Sequence, residues 1–116
     1  MTEDPTEAAL AARYRPRLAA ERDALLASSS GTRADRKPVE LDQQMVGRLS
    51  RMDAMQSQAM AEAIEARRHG RIRAIAAALS RLDAGDYGWC EDCGEFIGFG
   101  RLDANPTVMR CVGCAG

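Results

Sequence analysis

Large rings are scarce in this 116-residue chain, which holds one Trp, two Tyr and two Phe. So few aromatics exclude a big aromatic core, and the length leaves room for one small domain. Neither sign of charge dominates: the net charge of −1 removes the whole-chain signature of a nucleic-acid binder. No run of about 18 apolar residues occurs, so no transmembrane helix is expected. The N-terminus, Met1-Thr2-Glu3-Asp4-Pro5-Thr6, has no basic region or apolar stretch before its first charges. That argues against export and for a reducing, cytoplasmic setting. With a single histidine, His69, no Ser/His/Asp or Cys/His set can be assembled, and no phosphate-cradling glycine loop precedes a helix. An enzyme is not expected.

Cysteine, absent from the rest of the chain, appears as Cys90, Cys93, Cys111 and Cys114, two Cys-x-x-Cys pairs with seventeen residues between them. Each pair can set two sulfurs on one side of a metal, and an intervening hairpin of this length brings the second pair to the other side. In a reducing compartment such pairs bind metal or do redox chemistry more often than they form disulfides. One structural Zn2+ is therefore expected, closed by four protein ligands and leaving no open position for catalysis. Gly94 follows Cys93 and Gly113 precedes Cys114, so each pair has a residue that tolerates a positive φ. Arg101 and Arg110 are candidates to offset the thiolate charge, and Trp89, Phe96 and Phe99 to form a small core around the metal.

Upstream, the alanine-rich stretch from about Thr6 carries Ala11, Tyr14, Leu18 and Leu25 at helical spacing. Ser28-Ser29-Ser30-Gly31-Thr32 reads as its breaker, and the polar run through Lys37-Pro38 as a loop. From there to Ala84, helical spacing returns in Leu41, Met45, Leu49, Met52 and Met55, then in Ile72, Ile75, Leu79 and Leu82. Ala59, Ala63 and Ala66 offer a low-volume stripe for a partner helix. A continuous second helix would span about 70 Å. Gly47 and Gly70 are possible kinks, and Ser50-Arg51-Met52-Asp53 resembles a capping box, so the helix starts near either 40 or 50. The six methionines read as core filler, or Met45, Met52 and Met55 as an adaptable contact surface.

The fold expected is mainly α: an antiparallel two-helix coiled-coil hairpin with a small C-terminal four-cysteine zinc-finger module. The hairpin takes residues 1–84, with helices at about 6–28 and 40/50–84 and a tip at about 29–49; the module takes 85–116. The densest basic run, Arg67-Arg68-His69-Gly70-Arg71-Ile72-Arg73, reads as a solvated face paired with Glu62 and Glu65, with His69 exposed and without a role.

Asp83, Gly85, Tyr87 and Gly88, then Cys90-x-x-Cys93-Gly94, Ile97, Arg101-Leu102, Ala104, Pro106 and the closing Cys pair strongly resemble the DksA/TraR family of bacterial transcription regulators. The resemblance covers residues 83–114. It implies a protein that binds RNA polymerase rather than promoter DNA. The helical hairpin would enter the secondary channel, acidic tip residues would approach the active-site region, and the stringent-response alarmone ppGpp often acts alongside. A monomer without sequence-specific DNA binding is implied. The family's tip pattern Asp-x-x-Asp-x-Ala has no match here. Asp42, after Glu40, is the preferred tip acid, with Asp53-Ala54 as the runner-up and Arg48 and Arg51 as further polymerase-contacting candidates. The alternative makes Asp42 a helix N-terminal acid and Asp53 a cap partner. The sequence given ends two residues past Cys114, short of the C-terminal helix that contributes to polymerase docking in longer relatives.

Two other functions stay open. A nucleic-acid-binding zinc ribbon needs a basic module, but residues 85–116 hold Asp86, Glu91, Asp92, Glu95 and Asp103 against two arginines. A zinc-thiolate redox sensor is compatible with the regulator reading.

Overall fold

The structure is a computed structural model that describes residues 4–36 and 48–115. Its elements are α1 (Glu7–Gly31), a 3-10 turn (Arg33–Arg36), α2 (Arg48–Ala84) and two short helices, α3 (Phe99–Ala104) and α4 (Val112–Ala115). No strand forms among the described residues; one antiparallel bridge joins Trp89 and Phe96. The molecule is a rod with extents of 73 × 28 × 20 Å.

Thr6 caps α1 by accepting a hydrogen bond from the Ala9 N–H at 3.1 Å, and Glu7 places an acid in the first turn. Leu10, Tyr14 and Leu18 follow at four-residue spacing and are buried together. The helix runs through Pro16, which removes one backbone donor. Pro16 and Ala12 are both exposed, so the break in the ladder faces water.

α1 ends inside the Ser28–Thr32 run, at Gly31 with Thr32 as its cap, as expected. Ser29 Oγ donates to Glu65 on α2, which anchors this stretch. The helix closes where the Thr32 N–H and hydroxyl both donate to the Ser28 carbonyl, at 3.1 and 2.9 Å.

Within the described residues α2 begins at Arg48 and continues through Gly70 without interruption. Its 37 residues span about 55 Å. Ser50 is already helical, so Ser50-Arg51-Met52-Asp53 is not the start of the helix. Leu41, Met45 and Gly47 lie outside the described residues.

α1 and α2 are antiparallel: Arg15 pairs with Asp83, Glu21 with Arg71 and Ser29 with Glu65. Of the predicted seam, Ile75 and Leu82 are buried, Leu79 packs against them and Ile72 is half-buried, while Ala78, outside that seam, is buried with them. The alanine stripe faces the other way. Carried N-terminally at 100° per residue, the buried face passes through Glu65, Ala61, Gln58 and Ala54, which leaves Ala59, Ala63 and Ala66 exposed on the opposite side. Met52, Met55, Met60 and Met109 are exposed, so these methionines are not core filler.

The core lies at the base of the rod, shared by three parts of the chain. Leu10, Tyr14 and Leu18 come from α1, Ile75, Ala78 and Leu82 from α2, and Tyr87, Cys90, Ile97 and Leu102 from the C-terminal module. Trp89, Phe96 and Phe99 do not form the module's interior. They meet tilted and edge-on, with centroids 5.5 and 5.1 Å apart, at half-buried or exposed positions. Tyr87, Ile97, Leu102 and Pro106 fill the interior instead.

Candidate metal centre

α2 ends at Ala84, and the chain turns back when the Asp86 and Tyr87 N–H groups both bond the Arg81 carbonyl, at 2.9 and 3.2 Å. Gly88 then takes φ 91°, and a Cβ there would press on Leu10 at 3.2 Å, so glycine answers both the turn and the close approach to α1. Two bonds of 2.8 Å, Cys90 N–H to Glu95 O and Ile97 N–H to Gly88 O, close a tight hairpin around the first cysteine pair. Gly94, at φ 77°, donates to Cys90 O and makes the turn expected of it.

The second pair is built differently. Cys111 and Cys114 bracket the first turn of α4, where Cys114 N–H donates to Cys111 O. Gly113 is helical rather than positive in φ, because a helical turn already sets both sulfurs on one side. The Glu91 N–H to Met109 O bond, 2.9 Å, draws the two pairs together.

All four Sγ atoms lie within 4.8 Å of one another, and Cys93 and Cys111 are 3.8 Å apart. A tetrahedral Zn2+ with Zn–S near 2.3 Å requires sulfur separations of about 3.8 Å, so the cluster fits one zinc ion. The electrostatics agree. Backbone N–H groups of Cys111 and Cys93 pull the Cys90 thiol down to about 6. The crowded sulfurs of Cys111 and Cys90 push Cys114 upward, a conflict that a divalent cation removes. Arg110 pairs with Glu91 at 2.9 Å and Asp92 at 3.2 Å, while Arg101 donates to the Arg110 carbonyl. Neither arginine is a ligand. With four thiolates the site is closed, and its zinc is structural.

The module is bound to the hairpin through a polar clamp. Arg13 grips the Asp103 carboxylate through two nitrogens at 3.2 and 2.5 Å, and Tyr14 donates to the same carboxylate at 2.9 Å. Arg17 donates to the Asp103 carbonyl, and the Arg13 guanidinium lies 4.5 Å from the Phe99 ring centroid. On the other side Arg71 reaches Glu21, Asn105 and Thr107, so one side chain ties α2 to α1 and to the module. The basic run is thus not one solvated face. Arg71 is a cross-link, Arg68 and His69 pair with Glu65, and Arg67 and Arg73 are exposed.

Only some of the tip candidates fall among the described residues. Asp42 lies outside the described residues, and Arg48 opens α2. Asp53 is exposed, while Arg51 is half-buried with its Nε lacking a partner. Sequence reasoning missed the roles of Arg13 and Asp103. Arg13 and Arg17 do flank the buried Tyr14 at helical spacing, a signal for a clamp whose acid lies some 90 residues away.

The prokaryotic dksA/traR C4-type zinc finger matches residues 85–116. The RNA polymerase-binding transcription factor DksA of Haemophilus influenzae is 46% identical over 43 residues, which are 37% of this chain and 30% of that protein. Its counterpart in Caulobacter vibrioides is 49% identical over 41 residues, 35% of this chain and 29% of that protein. The solved structure of transcription factor DksA2 from Pseudomonas aeruginosa superposes with a TM-score of 0.75 at 27% identity, covering 92% of this chain and 81% of that one. The chain is DksA-like. The sequence likeness to the curated DksA proteins spans under a third of their length, whereas the likeness in shape extends over both helices and the module.

Proposed function

We propose that this protein regulates transcription initiation by binding RNA polymerase, with its helical hairpin inserted into the secondary channel. The observation that carries the reading is the rod itself. A rod 73 Å long and 28 Å across in all, made of two long helices on a zinc-stapled base, is shaped to reach through a pore that a globular domain cannot enter. The DksA2 likeness over 92% of this chain supports it. In this reading residues 1–84 are the inserted arm and residues 85–116 the docking base. Asp42, Arg48, Arg51 and Asp53 are the contacts made at the far end.

The protein acts by binding rather than by catalysis, as a monomer in the cytoplasm, without sequence-specific DNA contacts. The exposed acids Glu91, Asp92 and Glu95 beside the first cysteine pair make the module a poor surface for phosphates. ppGpp is the proposed co-effector at the polymerase interface. The test is binding to core RNA polymerase with cleavage mapped from a probe attached at position 42. Cuts near the polymerase active centre are expected; no binding, or cuts confined to the outer surface, would refute insertion. Transcription from a stable-RNA promoter, with and without ppGpp, tests the activity and its co-effector.

One observation favours an added redox role: Cys93 is exposed while Cys90 is buried. Mild peroxide should eject zinc and change the transcriptional effect. Unchanged metal content after treatment would remove this role.

A further inference from the structure

Glu65 is the buried charged side chain among the described residues, 7% exposed, and it sits where α1 ends. Its Oε1 accepts from Ser29 Oγ and lies 2.8 Å from His69 Nε2. Its Oε2 is 3.1 Å from Arg36 Nη1 and 3.2 Å from Arg68 Nη1. Thr32 Oγ1 accepts from the same two arginines at 2.8 Å each and donates to the Ser28 carbonyl. One carboxylate therefore holds the end of α1, the 3-10 turn and α2 together. Two arginines converge on it, so the ties pull inward from both sides.

A pair of packed helices needs no such anion; apolar side chains would fill this space without the cost of desolvating a charge. What the carboxylate adds is direction. Arg36 is the last residue of the 3-10 turn, so its anchor fixes where the chain sets out toward Asp42. On the return path, α2 runs seventeen residues from Arg48 to Glu65, about 26 Å of helix.

We propose that Glu65 is a positioning residue for this end of the hairpin: the Ser29–Arg36–Glu65–Arg68 cluster fixes the end of α1 and the 3-10 turn against α2, and so supports the transcriptional effect without itself touching the polymerase. The proposal rests on the secondary-channel reading for its functional consequence, but its structural half stands apart from it.

The test uses the full zinc-loaded chain and the variants Glu65→Gln and Arg36→Gln. Amide exchange should quicken about tenfold or more across residues 29–36, with residues 10–18 and 97–106 unchanged. Affinity for core polymerase should stay within about threefold, while the effect on promoter-complex lifetime falls about tenfold. The double variant should be no worse than Glu65→Gln alone, because both break one cluster. If Glu65→Gln loosens the whole base, Arg36→Gln, which lies outside both long helices, carries the comparison. Unchanged exchange at 29–36 overturns the cluster's role, and faster exchange with full transcriptional effect overturns positioning. A parent protein that does not bind polymerase would refute the channel reading alone, since the exchange data decide the cluster independently.

Discussion

Tyr14 of α1 and Tyr87 of the zinc module pack with their ring centroids 5.5 Å apart, inside the core that the helical arm and the module share. The Tyr14 hydroxyl donates to Asp103 and the Tyr87 hydroxyl to the Pro106 carbonyl, so both rings are anchored within the module. The metal site is therefore built into the base of the rod, not hung from it. Cys90, a zinc ligand, is itself a member of the core cluster.

Removing zinc should consequently do more than melt the module. The sequence alone predicts that residues 85–116 unfold on chelation while the hairpin keeps its helical signal, because the hairpin has its own apolar seam. The shared core adds that Leu10, Tyr14, Ile75 and Leu82 lose their packing partners. Amide exchange after chelation, or in Cys111→Ser, should quicken at residues 8–18 and 75–84 as well as in the module. Protection unchanged in those helical turns would show that the arm is independent of its base.

Two substitutions separate packing from polar anchoring. Leu102 is fully buried, and Leu102→Ala should cost about 2–5 kcal/mol through lost contacts and the cavity left behind. Tyr87→Phe keeps the ring but strands the Pro106 carbonyl, now 2.7 Å from the hydroxyl, and should cost about 1–3 kcal/mol. Denaturant unfolding of zinc-loaded protein measures both. A Tyr87→Phe variant as stable as the parent would mean that water replaces the lost donor.

What could be read in the sequence tracks how local each signal is. The cysteine pairs carry their metal geometry in a fixed spacing, and the seam of Ile75 and Leu82 in a fixed period, so both were legible. The serine run marked where α1 ends, but the tie from Ser29 to Glu65, 36 residues away, has no local signal. The alanine stripe looked like a contact face because small residues suit one, yet the face of α2 turned to α1 is set by Ile75, Ala78 and Leu82 farther along. The Arg13–Asp103 clamp spans 90 positions and has no local period at all. Pairings of that kind appear only once the chain is folded.

The clamp also predicts a pH dependence. Hydrogen bonds from Arg13 and then Tyr14 hold the Asp103 carboxyl below its ordinary 3.8, and Ser29 chiefly holds Glu65 below 4.5. Such groups add stability at pH values above those ordinary ones, and it is lost as pH falls from there through the folded-state values. Asp103→Asn should therefore be less stable than the parent at neutral pH, with the gap closing in acid. Both proteins carry the same zinc site, so thiolate protonation cancels in the difference. Tyr14 has the opposite sense: burial, helped by Asp103, raises it from 10.0 to about 12. Its contribution is complete below pH 10 and declines as pH rises toward the folded value. Near-ultraviolet titration should show Tyr14 ionising late or together with unfolding; a phenolate forming in folded protein at the ordinary pH would contradict its burial.

The last prediction concerns the far end of the rod. Asp53 read from sequence as either a polymerase contact or the acid of a capping box begun by Ser50. Ser50 is helical, so the capping role is gone, and Asp53 stands exposed beside exposed Met52 and Met55. An exposed acid there with no cap to serve is free to meet a partner. Asp53→Asn should leave zinc content and melting temperature unchanged and keep polymerase affinity within about threefold, yet weaken the effect on promoter-complex lifetime. Asp42→Asn should do the same more strongly if Asp42 is the tip acid. If Asp42 instead stabilises a helix N-terminus, its substitution should lower stability by about 0.3–1 kcal/mol and leave transcription untouched. Measuring unfolding and promoter-complex decay on both variants separates these roles, because a dipole partner moves only the first and a polymerase contact only the second.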